Sequence, residues 1–251
     1  MPRRTWTGPL TLLASLAAGC VFGYLQAPPT VHGYQVKPFV LHQVEKMYKE
    51  GAYEPVVSSH QVFARRSDGS WSFTHTGREA DGSYATVVEY FDSVHDIYVH
   101  TEPVTRSVMT RAVPPAEIQR HLEAGFRSCQ SLKAGYEAGP HSRMLGYDVI
   151  LVSETDKAGT ESRWVAPALD CYALRSVYRT PDGRHDDFEV GEVQEVEPPA
   201  ELFEVPSGYV ERSPKEIEAL YAKRIPGAEV FPKSILERLE RKYKAERPAP
   251  Q

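Results

Sequence analysis

The sequence predicts an α+β fold with an antiparallel β-sheet at its centre, and three observations carry that class. Segments rich in β-branched and aromatic residues recur through the middle of the chain, among them "SYATVVEYFDS" and "LDCYALRSVYRT". Such residues suit a pleated, half-buried surface. Turn signals separate these segments: Ser67-Asp68-Gly69, Gly77, Asp81-Gly82, Pro103, Lys157-Ala158-Gly159 and Pro181-Asp182-Gly183, where glycine and proline set the special backbone angles that turns need. Helical spacing of apolar residues is confined to a few segments that carry proline or capping signals at their starts.

The first 26 residues form a leader. Arg3 and Arg4 precede an uncharged, mostly apolar run from Leu10 to Leu25. This is the pattern of a secretory signal or a short membrane span. At 16 residues the run falls short of the ~20 that cross a bilayer comfortably. The segment Leu16-Ala17-Ala18-Gly19-Cys20 resembles the lipobox of bacterial lipoproteins, in which the cysteine thiol takes a diacylglycerol. The leucine preferred three places before that cysteine is Ala17 here, with Leu16 one place off. Three readings stand: a cleaved signal, lipidation at Cys20, and a retained membrane anchor. All three place the rest of the chain outside the cytoplasm, tethered to the cell envelope in two of them. The pair Arg3-Arg4 also resembles a twin-arginine signal, but its surroundings fit that pattern poorly.

Residues 27–37, opening on "APPT", read as a tether. "KPFVLHQVEKMYKEG" then reads as a helix, with Pro38 in its first turn, Gly51 at its end, and Val40, Leu41, Val44, Met47 and Tyr48 on one face. Strands follow in "PVVSSHQVFARR", "SWSFTHT", "SYATVVEYFDS", "DIYVHTE" and "TRSVMTRAV". "PPAEIQRHLEAGFRS" reads as a helix with Pro115 near its start. Strands resume in "MLGYDVILVSE", "SRWVAP", "LDCYALRSVYRT" and "FEVGEVQEVE", and alternation along them leaves one sheet face wetter than the other. The sheet domain spans 38–212. Residues 213–245 are helical: Ser213-Pro214-Lys215-Glu216 is a capping box with proline at the first helical position. A second helix near 233–244 sets Ile235, Leu236, Leu239 and Tyr243 against a charged face. Residues 246–251 read as a disordered tail.

Charge and motifs exclude more than they assign. A net charge of -5 offers no basic field to nucleic acid. There are three cysteines. If Cys20 takes a lipid, Cys129 and Cys171 are left as an even pair, which an oxidising envelope favours as a disulfide. In the chain-entropy model that bond stabilises by roughly 3–5 kcal/mol. Nine histidines invite a metal reading, and His95 and His100 lie close to Asp92 and Asp96. On a strand the spacing of His95 and His100 puts them on opposite faces. His185-Asp186-Asp187 follows a turn, where polar residues are expected. No zinc-protease, nucleophile-elbow or phosphate-loop motif is present, so the sequence points to no catalytic residue, metal or cofactor.

Two stretches carry a family likeness. "RWVAPALDCYALRSVYRTPDGR" places Trp164, Pro167 and Leu169 before a strand and hairpin turn, and "VEPPAELFEVPSGYVERSP" ends the sheet with Leu202, Phe203, Val205, Pro206, Gly208 and Tyr209. Together, across roughly Val56 to Tyr209, they resemble uncharacterised secreted bacterial proteins similar to the lipoprotein-localisation fold of LolA and LolB. The resemblance implies a strongly curved antiparallel half-barrel, with helices on one face around an apolar cavity. It implies an envelope protein, not an enzyme, that binds or senses a lipid or acyl chain. The competing expectation is an interaction module that docks an envelope protein partner through its C-terminal helices. A hydrolase assembled from distant residues is a third. No site residue for a ligand is legible.

Overall fold

The computed structural model describes residues 33, 36–55, 57–78, 84–122, 139–227 and 229–246. Twelve strands form one curved, unclosed sheet: β1 (Phe39–Tyr48), β2 (Val57–Arg65), β3 (Trp71–Arg78), β4 (Tyr84–Asp92), β5 (Ile97–Glu102), β6 (Ser107–Ala112), β7 (His141–Met144), β8 (Tyr147–Thr155), β9 (Thr160–Ala166), β10 (Tyr172–Arg179), β11 (His185–Gln194) and β12 (Val210–Glu211). Among the described residues three α-helices accompany them: α1 (Pro115–Leu122), α2 (Pro214–Arg224) and α3 (Lys233–Glu246). The spatial order is β12-β6-β5-β4-β3-β2-β1-β11-β10-β9-β8-β7. Two meanders, β1–β6 and β7–β11, therefore meet where β11 pairs with β1. All pairings are antiparallel except β12 on β6. No described helix is long and apolar enough to cross a membrane.

The segment expected to be the first helix is instead β1, a central strand. Its apolar residues recur at helical spacing, yet Phe39, Leu41 and Gln43 also alternate and all three are buried. Hydrogen bonding to β2 on one side and β11 on the other satisfies its backbone twice over, so tertiary pairing overrides a weak helical preference. Two smaller corrections concern turns. Gly77 lies inside β3, paired with Ala85, and is not a turn. "MLGYDVILVSE" is not one strand: Leu145 and Gly146, at φ 51° and 86°, make a two-residue hairpin between β7 and β8, the geometry in which both central residues take positive φ.

Sheet curvature follows from ring contacts across the inner face. β2 and β10 are separated by β1 and β11, which in a flat sheet would put them about 14 Å apart. The rings of Phe63 and Tyr172 on those strands nevertheless stack at 4.8 Å. α1 lies in the resulting concavity. Its Ile118 and Leu122 pack with Phe39, Leu41, Phe63 and Phe91 in the principal core. The last described turn of the helix is also tied to the sheet. The fully buried Arg65 guanidinium donates to the Leu122 carbonyl, and the Trp71 indole N–H donates to the His121 carbonyl at 2.9 Å.

The opposite sheet face carries Val88, Tyr90, Val99 and Val108, covered by Phe203, Val205 and Tyr209. The C-terminal helices pack back onto the inner face near β6, through Met109, Ile217 and Tyr243. The capping box opens α2 as expected: Ser213 accepts from the Glu216 N–H at 3.3 Å, and Glu216 accepts from the Ser213 N–H at 2.8 Å.

Candidate functional site

Beyond the reach of α1 the inner face is not filled. A cavity of about 570 Å³ lies between β3, β5 and β6 below, α1 at one side, and α3 with the loop before it above. Trp71, Tyr98 and Met109 form its floor, and Phe231, Leu239 and Tyr243 face them. This volume falls within the range of small-molecule pockets, about 300–1,000 Å³. A second hollow, about 670 Å³, runs along β1, β2 and β11. His42, Lys46, His60, Asp187, Glu189 and Glu192 give it mixed charge and a larger polar share of its wall than the first cavity has, so it has less to offer an apolar ligand.

The charged groups of the first cavity form a connected set. Glu117 on α1 accepts from Lys242 of α3 at 2.8 and 2.9 Å and from Arg120 at 2.7 Å, and lies 3.6 Å from Arg111. Arg111 also reaches Glu246 at 3.2 Å, donates to Nε2 of His121 at 3.2 Å, and lies 4.9 Å above the Tyr98 ring. Because Nε2 accepts from an arginine, the His121 ring is neutral there. Burial, then the charges of Arg111 and Arg120, push His121 down to about 4. The hydrogen bond from Lys242, against burial and with the neighbouring cations, holds Glu117 below the ordinary carboxylate range.

Deeper on β4 and β5, Glu89 accepts from the Tyr98 hydroxyl at 3.0 Å and pairs with Nδ1 of His100 at 2.8 Å. Burial alone would raise the Glu89 carboxyl, but the bond and charge of His100, helped by Tyr98 and His75, bring it below its ordinary value. Burial, then the Glu89 charge, raise the Tyr98 hydroxyl. Among the described lining residues there is no serine, threonine, cysteine or carboxylate, and no described group of three acidic, histidine or cysteine residues could hold a metal ion.

The residues singled out from sequence are dispersed. Cys20 and Cys129 lie outside the described residues. Cys171 is 2% exposed, packed with Val152 and Val165, and sits with Asp170 in a turn where both take positive φ. His95 is in the β4–β5 turn, not on a strand, with Nδ1 2.7 Å from Asp92, while His100 faces inward toward Glu89. His185 stacks on Tyr48 at 4.4 Å, and Asp187 pairs with Arg175 at 3.0 Å. Phe203 and Tyr209, which carry much of the family likeness, cover the opposite sheet face from the cavity. Sequence reading missed Arg111, Arg120 and Lys242. One signal was present: Met109 and Arg111 alternate on β6, which places a cation beside an apolar residue on the inward face of that strand.

The chain matches no protein-family model and no curated protein. Among solved structures it is similar to PNGF-II, at 10% identity and a TM-score of 0.41, over 74% of this chain and 33% of that one. The chain thus spans about a third of the length of PNGF-II. It is also similar to a DUF1329 family protein from Desulfovibrio piger, at 10% identity and a TM-score of 0.31, over 67% of this chain and 90% of that one. A domain from Vibrio parahaemolyticus described as an outer membrane lipoprotein-sorting protein matches at 10% identity and a TM-score of 0.25, over 65% of this chain and 86% of that one. The functional argument rests on the cavity and not on these likenesses.

Proposed function

We propose that this chain is a non-enzymatic protein of the cell envelope that binds a lipid or acyl chain in the cavity between the concave sheet face and α3. The observation that carries the reading is the unfilled stretch of the inner face, with its floor of Trp71, Tyr98 and Met109 and its roof of Phe231, Leu239 and Tyr243. Each methylene that leaves water for such a site gains about 0.8 kcal/mol, whereas an exposed ion pair gains about 0–1 kcal/mol. An acyl chain is therefore the part of a ligand that supplies affinity. The C-terminal helices spend apolar side chains on Met109 and on each other, which favours this reading over docking of an envelope partner through those helices.

The address follows from the leader. Lipidation of Cys20 is the proposed tether to the membrane, and an oxidising compartment is the setting for a proposed Cys129–Cys171 bond. Cys20→Ala should release the protein from membranes, and retention there would favour an uncleaved anchor. Non-reducing peptide mapping that finds both other thiols free would remove the disulfide.

The binding reading is tested by titrating a fluorescent fatty-acid probe onto the full chain in detergent-free solution. Saturable binding that phospholipid competes away supports it. Absence of binding, with a known lipid carrier binding the same probe in parallel, sinks it.

A further inference from the structure

We infer that the cavity selects amphiphiles whose head group is a compact oxyanion, a carboxylate or a phosphate, and that Arg111, Arg120 and Lys242 make the selection. This rests on the lipid-binding reading above and specifies its ligand class.

The argument starts from which charges face the space. The described side chains of basic type that line the cavity are His100, Arg111, Arg120, His121 and Lys242, and no described carboxylate is among the lining. The acidic partners stand behind this wall. Glu117 is shared by Lys242, Arg120 and Arg111, and Glu246 pairs with Arg111. Among the described residues Arg111, Arg120 and Lys242 share Glu117 and Glu246, Glu89 lies behind Tyr98 and His100, and His121 adds no charge while its Nε2 accepts from Arg111. The described charged side chains that line the space itself are thus all basic, at the edge of an apolar wall. There the reduced dielectric makes an opposite charge worth more than in open water.

Geometry assigns roles within this trio. The Arg111 guanidinium lies over the Tyr98 ring and is tied to Glu246 and His121, so it is a fixed positive wall. The Arg120 side chain is 58% exposed, and Lys242 reaches Glu117 from the opposite helix. These two stand where the space between α1 and α3 opens. An acyl chain laid along Trp71, Met109 and Leu239 brings its head group to that opening. A guanidinium offers paired N–H donors that match a carboxylate or phosphate, and a lysine adds a compact charge. A zwitterionic head would bring its own cation against the same wall.

The test compares ligands of one chain length on the full-length protein: dodecanoic acid, dodecyl phosphate, dodecanol and a single-chain phosphocholine. The two anions are expected to bind about 10-fold or more tightly than the alcohol, the increment of one charge-assisted contact. The advantage should shrink as salt rises from about 0.05 to about 0.5 M. Arg120→Gln and Lys242→Gln should each reduce the ratio of acid to alcohol affinity toward one, while Arg184→Gln, in the distant β10–β11 turn, should leave it alone. Whether the carboxylate or the phosphate binds better identifies which oxyanion the site prefers. Equal binding of acid and alcohol, or tighter binding of the phosphocholine, overturns the inference and leaves the lipid-binding reading standing. Binding of neither acid nor alcohol overturns both. Inorganic phosphate that displaces dodecanoic acid at equal concentration also overturns it, because the site would then be an anion site without a chain.

Discussion

Under α1 the concave face is a solid core, while a few strands further along the same face is open. The difference does not lie in the sheet, since inward-facing aromatic residues occur in both halves: Phe63 and Phe91 in one, Trp71 and Tyr98 at the border of the other. It lies in what covers them. α1 lowers Ile118 and Leu122 directly onto the sheet and is held down by Arg65 and Trp71. α3 meets the sheet in apolar contact at Tyr243 and Met109, and its other ties are polar: Lys242 to Glu117, Arg111 to Glu246, and the Tyr243 hydroxyl on Glu211 at 2.9 Å. A helix fastened along its face by apolar contact closes the space beneath it, whereas one fastened at one apolar point and otherwise by long polar side chains leaves a gap.

The largest effect should come from the closed half. Phe91 is fully buried, with its ring 5.0 Å from that of His121. Phe91→Ala should cost about 3–5 kcal/mol in urea unfolding. Leu239→Ala, in the half-exposed roof of the open half, should cost about 1 kcal/mol or less. Similar costs would show that the cavity is packed shut in solution. A next, smaller effect sharpens the same contrast. Ser213→Ala removes the side-chain acceptor of the capping box of α2, which braces α3 through Lys215 N–H to Glu240 at 3.1 Å. The loss should be about 0.5–2 kcal/mol, with weaker lipid binding, since the roof depends on α2. Leu239→Trp tests the space itself: the added ring should abolish probe binding and change stability by less than about 1 kcal/mol, because it enters a void and not a packed core. A cost near that of Phe91→Ala would mean that no void is there.

The sheet was legible in the sequence because its signals are local. Alternation and turn residues give β2 to β6 and β9 to β11 nearly as they stand, and the Ser213–Glu216 pattern gives the start of α2. β1 was not legible, because Val40, Leu41, Val44 and Met47 satisfy the helical period, while the strand alternation of Phe39, Leu41 and Gln43 includes a polar residue. Only the partners β2 and β11, one following and one far along the chain, decide between them. The cavity was illegible for a related reason. Arg111, Arg120 and Lys242 belong to a strand and two helices, and what makes them a set is the shared carboxylate of Glu117. No spacing rule links such residues. The Phe203–Tyr209 segment was visible, but its work is on the other face.

The boundary between the two halves is set by His121, and its titration offers a last test. Its ring touches the closed half at Phe91 and lies 6.3 Å from Trp71 and 5.6 Å from Tyr98 at the rim of the open one. Arg111, Arg120 and Lys242 bear on it as cations and Glu117 as an anion. Burial and those cations hold its pKa at about 4, against an ordinary value of 6.5. Between those values the unfolded chain binds a proton that the folded chain refuses, so stability must fall as pH falls from 6.5 toward about 4, and this contribution levels off below that. Glu117 acts in a different window. Its lowered carboxyl contributes stability that is present above 4.5 and is lost as pH drops through its folded value. The interval from pH 6.5 to 5 therefore separates His121 from Glu117, while His95, raised by its hydrogen bond to Asp92, contributes with the opposite sign in both proteins compared below. Over that interval the thermal midpoint of the natural protein should decline, and His121→Phe, which keeps a ring against Phe91 and cannot titrate, should flatten the decline. Equal slopes in the two proteins would place the acid sensitivity elsewhere and leave His121 as a packing residue only.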